Sequence, residues 1–273
     1  MALPFVPSDA ALLTLQAAVV ALPKPPPSVR LFERLRGPGW ALVPIGSIVV
    51  VIFAIRYVND TATGLTYLAL LAVPILAAAA LGWAARRSVP WAALLAVPLF
   101  VLAWASRTSL AGQAAAALLS ALSCVTLGVL LGAVTPPAWL KLGIVAMAVA
   151  DSWLVITDLL QAPNATLIAA HPGAGLPRLQ SVLFGTVSMG YGDLFVAGLL
   201  GAVLAREGVR RQLSGAAMTL VFAGLFDLLF FFVDELPATV PVALTVIVLE
   251  ASPRVSAWRR RSRPAAVTPR PAR

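Results

Sequence analysis

Long apolar runs, interrupted by short polar or proline-rich segments, set the pattern of this chain. A bilayer span needs about 20 such residues. Eight runs approach or exceed that length, at about 40–58, 64–84, 90–106, 110–133, 137–160, 179–205, 212–233 and 236–253. A ninth stretch, Ala10 to Leu22, is shorter, follows Asp9 and stops at Pro23, Pro25, Pro26 and Pro27. It reads as an interfacial or buried helix, and no basic segment precedes it as in a signal peptide. The pattern predicts an all-α polytopic membrane protein with about eight transmembrane helices, nine if the short stretch also crosses. Residues 1–38 form a cytoplasmic or interfacial segment, 39–136 four scaffold spans, 137–253 four spans with candidate chemistry, and 254–273 a basic, disordered tail.

Composition agrees: 60% of residues are hydrophobic and only 11% charged, roughly half the charged share of a soluble domain. The net charge of +9 therefore gives no reason to expect a nucleic-acid partner; the bilayer is the expected surroundings. Of the 20 Lys and Arg residues, all but Arg56, Arg107 and Arg178 alternate onto one side of the eight runs. That side is cytoplasmic by the positive-inside rule, and it includes the C-terminal tail and the segment before the first span. Trp40, Trp83, Trp91, Trp104 and Trp139 lie near span ends, where indoles favour the interface. Pro44, Pro74 and Pro98 fall inside spans, and Gly128 and Gly132 give the fourth span a small-residue face suited to close packing. Cys124 is the only cysteine and His171, in a Pro/Gly-rich loop, the only histidine. No disulfide, metal centre or cofactor is expected. Two Asn-x-Thr tripeptides, at Asn59 and Asn164, fall in outside loops and matter only in a glycosylating host.

Against this background the intramembrane aspartates stand out, because an ionisable group at that depth is a functional site by default. Asp193 follows Gly190-Tyr191-Gly192 in the sixth run, about 20 Å from its cytoplasmic end at Arg206. Asp151 lies about 21 Å from Pro137 on the fifth run, which points the opposite way. On neighbouring helices the two would be level, whereas Asp158 would sit about 10 Å higher. Two carboxyls at one depth cannot both ionise cheaply; one keeps its proton, and the pair can act as general base and general acid on a water. A plainer reading makes each a buried carboxyl bonded to backbone, Ser or Thr. Matched depth and the adjacent glycines, which let another backbone approach, favour chemistry. Asp227, with Asp234 beyond it, lies nearer the outer end and reads as structural or hydrating. On the last run, Pro241-Val242-Ala243-Leu244 is level with the pair, and Pro237 and Pro241 are expected to leave carbonyls there without helical partners.

These pieces together resemble the presenilin and signal peptide peptidase family of intramembrane aspartic proteases, as a distant prokaryotic-type member. The resemblance rests on Asp151-Ser-Trp-Leu-Val, Gly190-Tyr-Gly-Asp193 and the Pro-x-Ala-Leu of 241–244, in the family's order and span placement over residues 137–253. The family's Tyr before the first aspartate is Ala150 here, and Val242 interrupts its Pro-Ala-Leu. The resemblance implies hydrolysis of peptide bonds within transmembrane helices by water held between Asp151 and Asp193. It also implies that Gly190, Tyr191, Gly192 and residues 241–244 help hold unwound substrate. The orientation of the fifth span is that of the signal peptide peptidase branch, which implies transmembrane substrates with cytoplasmic N-termini and a bacterial or archaeal cell membrane.

Other classes remain in view. A proton-coupled transporter also uses intramembrane aspartates, although no inverted repeat is visible. A catalytically inactive scaffold of the same fold would keep the residues without the reaction. The Thr-Val-Gly-Tyr-Gly filter of potassium channels is broken here by Ser188 and Met189, and a prepilin peptidase would carry a Lys where Leu194 to Val196 are apolar. Oligomeric state and partner subunits leave no mark in the sequence. The charge pattern makes a topology prediction: reporter tags at the C-terminus and between Arg206 and Gln212 read cytoplasmic, and a tag at Pro172 reads outside. A cytoplasmic Pro172 would invert the arrangement.

Overall fold

The computed structural model describes residues 7–27, 30–44, 46, 49–50, 61–157, 159, 165–166, 169–170, 172–232 and 236–251. The α-helices among them are α1 (Pro7–Ala21), α2 (Arg30–Leu35), α3 (Thr61–Ala79), α4 (Ala96–Ala105), α5 (Leu110–Val134), α6 (Pro137–Ile156), α7 (Tyr191–Glu207), α8 (Val209–Phe226) and α9 (Val240–Ala251). One antiparallel hairpin, β1 (Ser181–Phe184) and β2 (Val187–Gly190), precedes α7. Four helical stretches are long and apolar enough to cross a membrane: Thr61–Ala84, where α3 runs on into a π turn, Leu110–Val134, Pro137–Ile156, and Val209–Phe231, where α8 tightens to a 3₁₀ turn. Most of the expected 40–58 run lies outside the described residues, as do Arg56, Asn59, Asp158, Asn164, His171, Asp234 and residues 252–273.

The interior is built around α7. Leu194, Val196, Leu199, Leu200, Val203 and Leu204 are buried on it, and α5, α1, α8, α6 and α9 pack against it. Helices come this close only where side chains are small. A Cβ on Gly128 of α5 would run into the Gly198 carbonyl of α7, and one on Gly198 into the Cys124 carbonyl. Gly201, three residues on, likewise lies against the Val20 carbonyl of α1. The small-residue face expected on the fourth span is therefore a contact surface, completed by glycines of α7 that the sequence had not paired with it. Around this interior, α3, α6 and α8 turn apolar side chains outward, among them Leu71, Ile75, Trp153, Ile156 and Leu225.

Most of the described basic residues collect at one end. Lys141 at the start of α6 pairs with Glu207 at the end of α7 and with Glu250 of α9, and Arg211 of α8 pairs with the same two glutamates. Arg206 donates to the Gly132 carbonyl, Arg86 to Gln212, and the Lys24 backbone N–H to the Ala84 carbonyl at 3.0 Å. The hairpin marks the opposite end: the Gly185 N–H donates to Gln113 near the start of α5, and Ser8 of α1 lies against Gly185.

One expectation narrows and another changes. Of the two readings of the N-terminal stretch, interfacial or buried, α1 takes the second, running from the hairpin end to the basic end with Leu12, Gln16, Val19 and Val20 enclosed. Its 15 residues reach about 22 Å. One face of it is buried in protein, while Ala10 and Thr14 on the other are exposed. The 179–205 run is not one helix, because its first part is the hairpin. Gly185 takes φ +61°, the sign that a two-residue hairpin turn needs at its first central position, and Val182 and Val187 suit strands. A continuous apolar run cannot by itself separate strand from helix.

The glycine contacts make a stability prediction. Gly198→Val should lower unfolding stability in detergent by about 1–3 kcal/mol, the usual cost of overpacking. Gly224→Ala, where a Cβ meets nothing within 4 Å, should be neutral or slightly stabilising. Equal thermal shifts in the two variants would refute the contact.

A candidate carboxylate site at two helix N-termini

Asp193 is the third residue of α7, and its Oδ2 accepts the Gly190 backbone N–H at 3.0 Å. It thus caps the helix that carries it. The start of α7 is fixed from α5, because the Tyr191 hydroxyl bonds Ser123 Oγ at 2.7 Å and Cys124 Sγ lies 3.8 Å from the Tyr191 carbonyl. A side chain on Gly190 would crowd Asp193 Oδ2, while a Cβ on the exposed Gly192 would meet nothing within 4 Å. Space is open at Gly192, the residue before Asp193. α7 carries Asp193 about 21 Å from Glu207 and the ion pairs at the basic end.

Asp151 lies in α6, half-buried, and its carboxylate meets a different helix end. Thr239 Oγ1 donates to Asp151 Oδ2 at 2.6 Å. Thr239 is the residue before α9, so Asp151 occupies the N-terminus of that helix, where free N–H groups and the helix dipole suit an acidic group. The helices that carry them, α6 and α7, pack against each other, and Asp193 lies near enough to Asp151 to feel its charge. The structure therefore brings together two carboxyls from neighbouring helices, each at a helix N-terminus and both half-buried. Capping alone accounts for either one. It does not account for two acidic groups on packed helices at the same part of the bundle, which repel unless they share a proton.

The 241–244 stretch joins this site differently from expectation. Pro241 is the second residue of α9, where a missing N–H costs nothing, so the prolines start the helix and leave its carbonyls satisfied. Pro241, Val242 and Ala243 are buried, Leu244 is exposed, and the Pro241 carbonyl accepts the Thr245 hydroxyl at 2.9 Å. What the stretch contributes directly is Thr239, two residues upstream. A Thr just before a proline-started helix is a readable N-terminal signal, but its partner on another helix is not.

Asp227, just past the end of α8, lies beside Asp9 of α1, and both are buried. Asp227 Oδ2 has no hydrogen-bond partner among the described residues. This second carboxyl pair joins α1 to α8 and was not anticipated. Asp158 lies outside the described residues. No protein-family model matches the chain, and neither a curated protein nor a solved structure matches it significantly.

The Asp9–Asp227 pair makes its own prediction. Asp227→Leu strands Asp9 in the interior and should cost about 1–3 kcal/mol of unfolding stability. Asp227→Asn, which can bond Asp9, should cost clearly less. Indistinguishable melting of the two variants would show that the pairing contributes nothing.

Proposed function

We propose that the protein is an intramembrane aspartic endopeptidase of presenilin-like architecture, hydrolysing peptide bonds within transmembrane helices with Asp151 and Asp193. The observation that carries this reading is the placement of these two half-buried carboxyls on adjacent, packed helices, Asp193 at the start of α7 and Asp151 against the start of α9, with open space at Gly192.

In the proposed reaction, one carboxylate takes a proton from a water held between the pair. The water oxygen attacks the peptide carbonyl carbon, and the carbonyl oxygen takes the proton of the other carboxyl. The resulting gem-diol collapses as the C–N bond breaks and the amine leaves with a proton from the pair. A helical substrate must unwind first, because helical hydrogen bonds occupy its carbonyls. The hairpin next to Asp193 has strand edges to which an extended backbone can add, and Ser188 and Gly190 of β2 are exposed. With its basic end cytoplasmic, the multi-pass protein would take substrates whose N-termini are cytoplasmic, and the reaction needs no cofactor.

Proton-coupled transport has one observation in its favour, the buried Asp9–Asp227 pair away from the proposed dyad. Cleavage decides between the two. Purified protein in detergent should cut transmembrane peptides, with a bell-shaped pH profile because only the singly protonated pair is active. Asp151→Ala and Asp193→Ala should each abolish cutting, whereas Asp158→Ala and Asp227→Ala should retain it. Loss of proton flux in Asp227→Ala, with no peptide cut by any form, would favour the transporter.

A further inference from the structure

The carboxylate of Asp151 is held by a chain of contacts that begins on the N-terminal helix. Gln16 of α1 is 1% exposed, and its Nε2 donates to the Ala238 carbonyl at 2.9 Å. The next residue, Thr239, is also buried and donates its hydroxyl to Asp151 at 2.6 Å. Among the described residues the turn is otherwise tied locally, by Val240 N–H to the Pro237 carbonyl and Ala243 N–H to the Thr239 carbonyl, each at 3.1 Å. A buried amide is costly unless both ends are bonded, and Gln16 Oε1 has no partner. A leucine there would remove that cost. A residue that breaks the local rule without a visible gain in stability marks a position kept for something else. The Thr239 hydroxyl is likewise diverted: at a helix start it would ordinarily accept from the helix's own N–H groups, yet here it donates across to another helix.

We infer that Gln16 and Thr239 are positioning residues: α1 fixes the 238–239 turn through Gln16, and Thr239 fixes the orientation of the Asp151 carboxylate. The inference rests on the peptidase reading for its effect on rate, but the arrangement itself can be tested without activity. Fixing the carboxylate serves the chemical step, so losing it lowers kcat rather than substrate binding. Thr239 also precedes the first turn of α9, so the turn couples residues 241–244 to Asp151.

The test uses full-length protein in detergent micelles, with Thr239→Val, Thr239→Ser, Gln16→Leu and the Gln16→Leu/Thr239→Val double variant. Thr239→Val should lower kcat at least tenfold with KM within about twofold, and displace the bell-shaped pH profile, while Thr239→Ser restores both. Gln16→Leu should lower kcat severalfold. In the double variant it should add little to Thr239→Val, because it acts through the same turn. In parallel, the rate at which a carbodiimide labels Asp151 is read by mass spectrometry. It should change in Thr239→Val and Gln16→Leu and return to normal in Thr239→Ser. Multiplying effects in the double variant, or an unchanged labelling rate in Thr239→Val, would overturn the inference. If the wild type cuts no peptide, the peptidase reading fails, and the labelling rates alone decide the positioning claim.

Discussion

Contact between the backbones of α5 and α7 is the constraint on which the rest of the arrangement depends. Gly128 and Gly198 let the two helices meet at their main chains, with Gly201 admitting α1 on the same side. A helix enclosed to this degree cannot face lipid, so α7 becomes the axis and the others its wall. Its starting point then sets the depth of Asp193. That start is held by the Tyr191–Ser123 bond and by the hairpin, which carries the chain from the far end of the bundle to mid-depth.

Mid-depth is a poor place for exposed backbone, because free N–H and C=O groups are expensive there. The hairpin pairs its own backbone, and the two helix starts that remain are used. Asp193 takes the Gly190 N–H at the start of α7, and Asp151 takes Thr239 at the start of α9. Donors that would otherwise lack partners become the means of holding two acidic groups. The same geometry satisfies the backbone and supplies a pair of carboxyls on packed helices.

At the basic end, Lys141, Arg211, Glu207 and Glu250 tie together α6, α7, α8 and α9, the helices that surround the pair. Partly exposed ion pairs of this kind add little stability each. Their use is registration: each fixes the height of one helix against another, and so the relative height of Asp151 and Asp193. The Gln16–Ala238 bond ties α1 into the same set from the side.

Read alone, the sequence determined the apolar character of the helices, the asymmetry of Lys and Arg, and which two aspartates stand far from the ends of neighbouring apolar runs. Those properties depend on composition and on residue counts from helix ends, which are local. It left three things undecided, each for a physical reason. The 179–190 segment is apolar in either conformation, so only pairing with itself and packing on α5 made it a hairpin. Prolines 237 and 241 can break a helix or begin one, and the position of Asp151 against Thr239 accompanies the second outcome. The partners of Gln16, Thr239, Glu207 and Glu250 carried no signal, because each lies on another helix, up to 222 positions away.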